Sequence, residues 1–336
     1  MQSCTTRASL AVVAVSLFAA AAFQDAKAPA PLVLGSAGHK YEWVHDWAKL
    51  PDGMSFGNTH GCVLVDSQDR VFMNTDTENA VIVFARDGKF IKSWGKELAG
   101  GLHGMAIVKE GDREFLYLTH IKRHQVFKAT LDGEILWTID YPKESGKYAA
   151  ANEYNPTSIA VAPNGDFYVA DGYGKSWVHQ YNAKHEYVKS WGGPGAEIGK
   201  LNTPHGIWLD TRADKPTLAI ADRANHRLQG FDLAGESLGL ICDDMRLPCH
   251  LHQRGKELVV ADLGGRISLL DGANKVIEHL GDNPDPALRG GNGVPREKWK
   301  DGEFLSPHCA CFDSHGDIYV IDWNSLGRIS KLEKVE

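Results

Sequence analysis

Neutral imidazole is a favoured ligand for a borderline-soft metal such as zinc. This chain of 336 residues carries 15 histidines. Five of them, His60, His103, His205, His250 and His308, stand at the head of short apolar runs. A catalytic zinc needs three protein nitrogens and an open fourth position for water or substrate. One histidine before a strand is ordinarily a hydrogen-bonded turn residue. Several unpaired imidazoles buried side by side are costly unless a metal or an anion reconciles them, so five in equivalent places argue for a metal. The alternative is a polar ring that holds none.

Such side chains converge only if the chain repeats, and it does. Phe90-Ile-Lys-Ser-Trp-Gly95 returns as Tyr187-Val-Lys-Ser-Trp-Gly192. Around these segments a longer unit recurs six times, with first strands near 61–66, 104–108, 158–162, 206–210, 251–254 and 309–313. Second strands follow at 71–74, 115–119, 167–170, 218–221, 258–261 and 318–321. Asp87-Gly88, Asp132-Gly133, Asn164-Gly165 and His315-Gly316 punctuate the strands, and no long helical period intervenes. Units of roughly 40 to 55 residues, each a small antiparallel sheet, predict an all-β, six-bladed β-propeller. The last unit lacks an outer strand, which Tyr41-Glu-Trp-Val-His-Asp-Trp47 can supply, so pairing of N- and C-terminal strands closes the ring.

In register, the five histidines begin the innermost strands, with Thr157 in the third unit. Alternate blades of six are about 120° apart. His103, His205 and His308, in the second, fourth and sixth units, then form a tripod on the axis. His60, His250 and Thr157 are additional channel positions, as further ligands, supporting partners or substrate contacts.

The units resemble NHL-repeat six-bladed propellers from about Gly57 to Leu332. More narrowly, the chain resembles the peptidyl-α-hydroxyglycine α-amidating lyase family. The pieces that carry this are Leu102-His-Gly-Met105, His124-Gln-Val-Phe-Lys128, Val169-Ala-Asp-Gly-Tyr173, Thr203-Pro-His-Gly206, Ala221-Asp-Arg-Ala-Asn-His-Arg227 and Ser306-Pro-His308. The resemblance implies zinc on His103, His205 and His308, Tyr173 as general base and Arg223 as a substrate-binding residue. The same residues read without it are a channel-lining tyrosine and an arginine bridging blades. The family's arginine at the end of the first blade's second strand is missing from Val71-Phe-Met-Asn-Thr-Asp76. Its calcium-binding Asp after the last zinc histidine is replaced by Cys309, an unsuitable partner for Ca2+, which argues against a structural calcium. Where its disulfide cysteine follows the tyrosine, Gly174 stands here. Asp171, Asp222, Asp262 and Asp322, with His120 at the equivalent place, read as strand-end residues that bond the following turn.

Composition narrows the class further. Hydrophobic residues make up 43% and charged ones 24%, as in a folded globular protein. Asp plus Glu outnumber Lys plus Arg by 43 to 36 with no basic tract, so no nucleic-acid partner is expected. Residues 1–22 read as a signal peptide, 23–38 as a flexible leader and 39–336 as the propeller, which predicts a secreted or periplasmic protein without a membrane span. Five cysteines follow the signal, too few for a disulfide framework; Cys242 and Cys249 flank a turn across which they could pair. Three functions are compatible: a zinc-dependent lyase acting on a small-molecule or peptide substrate in the channel, a non-enzymatic propeller binding a peptide, sugar or protein, and a metal-dependent lyase or hydrolase acting on carbohydrate.

Overall fold

The computed structural model describes Met1 and residues 30–335. The segment read as a signal peptide lies outside the described residues. The chain divides into two compact units, Met1–Pro31 and Leu32–Glu336, of which the second contains every strand described.

Six antiparallel sheets make up that second unit. The first blade is Val63–Val65, Val71–Asn74, Val81–Phe84 and Phe90–Trp94. Four further blades open with inner strands Leu102–Glu110, Ser158–Val161, Pro204–Asp210 and Pro248–Arg254. The sixth consists of Pro307–Phe312, Ile318–Asp322 and Arg328–Lys334, with Tyr41–Val44 as its outer strand. There Tyr41 pairs with Lys334 and Trp43 with Leu332, so the first and last parts of the ring share one sheet, as the sequence predicts. Val33–Leu34, inside the segment read as a leader, adds a short strand on Tyr41–Val44.

Alternation explains the burial. Middle strands such as Val81–Phe84 and Ile318–Asp322 are buried throughout, because each blade is covered on both faces by its neighbours. Outer strands such as Ile135–Ile139 alternate and face solvent on one side. The repeated Ser-Trp-Gly steps join blades. The turn glycine Gly133 (φ 94°) lies on the Trp94 ring, and Gly235 (φ 79°) on that of Trp191. A Cβ at either glycine would come within 2.6 Å of the indole, so glycine is required by space as well as by backbone angle.

The strand-end carboxylates act as structural caps. Asp171 accepts from the Asn155 amide, Asp222 from Asn202, Asp262 from Arg246 and Leu247, and Asp322 from Leu305 and Ser306. His120 substitutes with its ring, its Nδ1 accepting the Arg123 amide at 3.1 Å. These bonds fix where each inner strand starts, and hence where the channel side chains sit.

Candidate metal and active site

At the start of the inner strands, the ring centres of His103, His205 and His308 form a nearly equilateral triangle with sides of 4.8, 4.7 and 4.9 Å. Each Nδ1 faces a carbonyl of the next blade: His103 to Thr157 O at 2.7 Å, His205 to Cys249 O at 3.0 Å and His308 to Gly61 O at 2.7 Å. A carbonyl only accepts, so each Nδ1 carries the proton and each Nε2 presents its lone pair. The Nε2 atoms of His103 and His308 are buried and lack a partner. Leaving two such acceptors unpaired is costly, and a metal ion is a group that would answer them. Burial and the neighbouring charges hold all three rings well below the usual histidine pKa, in the neutral form that a metal requires.

Glycine makes this anchoring possible. Built onto Gly104 and Gly206, which follow two of the histidines, a Cβ would lie 2.5 Å from Thr157 O and 2.4 Å from Cys249 O, the acceptors of the imidazole protons. Gly206→Ala is therefore expected to destabilise the fold by about 1–3 kcal/mol. By displacing the partner of His205 it should also weaken metal binding by about 10- to 100-fold. Denaturant unfolding and a metal titration would check both, and an unchanged affinity would show that the carbonyl does not orient the ring.

His60 adds a fourth ring, 4.9 Å from both His103 and His308, and donor nitrogens of these three lie within 4.8 Å of one another. Its Nε2 is 3.1 Å from the Tyr173 hydroxyl, and burial lowers its pKa to about 4. Tyr173 also reaches His205 Nε2 at 2.9 Å and receives Arg223 Nη1 at 3.3 Å. Since His205 Nε2 is an acceptor, the phenol donates to it and accepts from Arg223. Burial pushes the Tyr173 pKa up to about 12, against the lowering pull of Arg223. The Arg223 guanidinium lies over the Tyr173 ring at 5.1 Å and also points to Cys249 Sγ at 3.9 Å.

Local sequence positions both residues. Gly172 packs where a Cβ would strike Pro204 O and Thr157 Oγ1, which lets Tyr173 fold over the channel mouth. Asp222 precedes the short turn that begins with Arg223 and ties it down by accepting from Asn225 Nδ2 and Arg227 Nε, both at 2.8 Å.

The structure also revises the register. Pro204, Pro248 and Pro307 pair with Asp222, Asp262 and Asp322, so the residues that follow are equivalent: His205, Cys249 and His308. His250 is one place further along and belongs with Cys309, and His60 is one place earlier, Gly61 holding the equivalent place in the first blade. His250 sits in a deeper layer, its Nε2 3.4 Å from Cys62 Sγ. The strand irregularity after each proline hides this from a count of residues, although the prolines themselves are a signal that could have aligned the units. Thr157 is at the expected register, but its hydroxyl bonds Pro204 O at 2.9 Å and only its carbonyl serves the ring. A cavity of about 10 Å³ is walled by both the histidine ring and the Cys62, His250 and Cys309 layer.

Beside His60 a second cavity of about 110 Å³ is lined by Asn58, Thr75, Asp76, Leu102 and Lys122. Sequence reasoning did not single out Lys122. At the other mouth of the channel a larger groove of about 340 Å³, with Ile107, Val161 and Trp208 in its wall, contains no histidine.

A family model for the NHL repeat matches residues 154–181. The chain is a six-bladed propeller with an NHL-repeat match in its third blade and relatives among the amidating lyases. Peptidyl-alpha-hydroxyglycine alpha-amidating lyase 2 of Drosophila melanogaster is 28% identical over 251 residues, 73% of this chain and 58% of the relative. Lyase 1 of the same organism is 33% identical over 43% of this chain and 27% of its own length. Peptidyl-glycine alpha-amidating monooxygenase B of Xenopus laevis is 30% identical over 45% of this chain and 17% of its own. The chain thus spans less than two thirds of each of these relatives. Among solved structures, a catalytically inactive virginiamycin B lyase from Staphylococcus aureus with quinupristin superposes with a TM-score of 0.54 at 14% identity, covering 89% of both chains. A putative gluconolactonase gives 0.56 at 14% identity over 89% of this chain and 93% of its own. At that identity the likeness is one of fold.

Proposed function

We propose that this protein is an exported, zinc-dependent lyase that cleaves peptidyl-α-hydroxyglycine to a peptide amide and glyoxylate. The observation that carries the reading is the anchored triangle of His103, His205 and His308 with Tyr173 and Arg223 at its rim. The similarity to amidating lyases supplies the substrate class. The borderline, nitrogen-only donor set fits zinc and not calcium. Coordination by His205 requires the Tyr173 hydroxyl to give up its bond to that ring, which leaves the phenol with His60 and Arg223.

When bound, the metal supplies Lewis-acid chemistry that makes the substrate hydroxyl more acidic. Arg223 holds the substrate carboxylate and offsets charge that develops on the departing glyoxylate half. Tyr173 carries the proton transfer: its phenol gives a proton to the amide nitrogen as the C–N bond breaks. It regains one from the hydroxyl as the carbonyl forms. Atoms balance, and the enzyme returns to its starting state. Lys122, in the wall of the cavity beside His60, is the residue we assign to the role of the absent first-blade arginine.

Metal content of protein purified without chelators, followed by glyoxylate release from a peptidyl-α-hydroxyglycine, tests the reading. Metal without glyoxylate would move the assignment to another substrate, carbohydrate included; absence of metal would leave a binding propeller. Lys122→Ala is expected to raise KM about tenfold, near 1.4 kcal/mol, with kcat little changed. Steady-state kinetics would separate this from a loss in kcat, which would give Lys122 a different part.

A further inference from the structure

Beneath the histidine ring the sulfurs of Cys62 and Cys309 stand 2.6 Å apart. Both are free thiols in the structure, closer than two thiols in ordinary contact and farther apart than the bonded length of about 2.05 Å. Cys62 immediately precedes the inner strand Val63–Val65 of the first blade, and Cys309 lies in Pro307–Phe312 of the last. The two residues are separated by 247 positions and meet where the ring closes. Both are buried, at 2% and 1% exposure. His250 completes the cluster: its Nδ1 donates to Ala310 O at 3.3 Å, which turns Nε2 toward Cys62 Sγ as a proton acceptor. Cys311, two residues on from Cys309, lies in the same core cluster, and the other two thiols have different surroundings. Cys249 faces Arg223, and Cys242 is on the outer strand Ser237–Cys242 of the fourth blade.

We propose that Cys62 and Cys309 form a disulfide that locks the first blade to the last, a covalent closure inside the one made by Tyr41–Val44 with Arg328–Lys334. The two thiols lose two protons and two electrons as the S–S bond forms, and an exchangeable disulfide such as oxidised glutathione is reduced to two thiols. Cys62, as its thiolate, attacks that disulfide and expels one thiolate. Cys309 then displaces the second from the mixed disulfide. Because both sulfurs are enclosed by the finished ring, the exchange precedes closure, and the completed bond is shielded from reductant. A cross-link across so long a loop restricts the unfolded chain strongly.

The test is peptide mapping of the full chain, expressed to an oxidising compartment, purified without reductant, unfolded and alkylated with N-ethylmaleimide. The expected result is a linked peptide pair containing Cys62 and Cys309, lighter by two hydrogens than the separate thiol peptides, with Cys242, Cys249 and Cys311 alkylated. Cys62→Ser should free Cys309 for alkylation, and reductant should lower the unfolding midpoint of the parent but not of this variant. Alkylation of both Cys62 and Cys309 in the parent overturns the proposal. So does their protection by an ion that a chelator removes, which would make the cluster a thiolate metal site.

Discussion

His103→Ala should leave a folded propeller that no longer retains its metal. The ring of His103 is anchored through Nδ1 to Thr157 O and presents an unpartnered, buried Nε2 to the axis. Its removal takes one of three anchored donors, and the expected loss of affinity exceeds the 10- to 100-fold that follows loss of an outer-shell partner. Stability should fall less than in the usual core truncation. The variant deletes a buried acceptor that is unsatisfied in the metal-free protein, so much of the cavity penalty is offset. Metal analysis together with denaturant unfolding of chelator-treated samples reads both quantities. Equal metal content in parent and variant would remove the tripod from consideration, whatever the activity.

For Tyr173→Phe the expected result is the converse: metal content preserved and glyoxylate release lowered by about 10²- to 10⁴-fold, mainly in kcat. The phenol is the one side chain that touches His60, His205 and Arg223 together, and deletion of its oxygen leaves the aromatic ring beneath the guanidinium in place. A purely structural tyrosine would instead lower the unfolding midpoint while sparing kcat. In the metal-free protein His205 Nε2 would be left without its donor, so metal should bind the variant at least as tightly as the parent. That second readout separates a proton-transfer role from a ligand-positioning one.

Much of this was legible from the order of residues because a propeller repeats its chemistry with its strands. Strand-forming runs, turn glycines and the Ser-Trp-Gly steps recur at fixed offsets, and the blade count follows from them. That count places the second, fourth and sixth blades around the axis, so the meeting of His103, His205 and His308 is determined by sequence alone once the ring closes. The strand-end aspartates and the pairing of Tyr41–Val44 with Arg328–Lys334 were equally readable, since each satisfies local backbone groups or a sheet edge.

The tertiary structure decided what depends on distances between blades. Only there does His250 fall out of the ring, because the strand irregularity after Pro248 advances Cys249 into the equivalent place. Nδ1 protonation, and with it the direction of every Nε2, is set by carbonyls of the adjoining blade that are far away in sequence. The same holds for Cys62 and Cys309. Periodicity assigns a residue to a blade and a face, whereas contacts of a few ångströms between blades arise from how closely glycine-lined backbones approach, and no single unit contains that information.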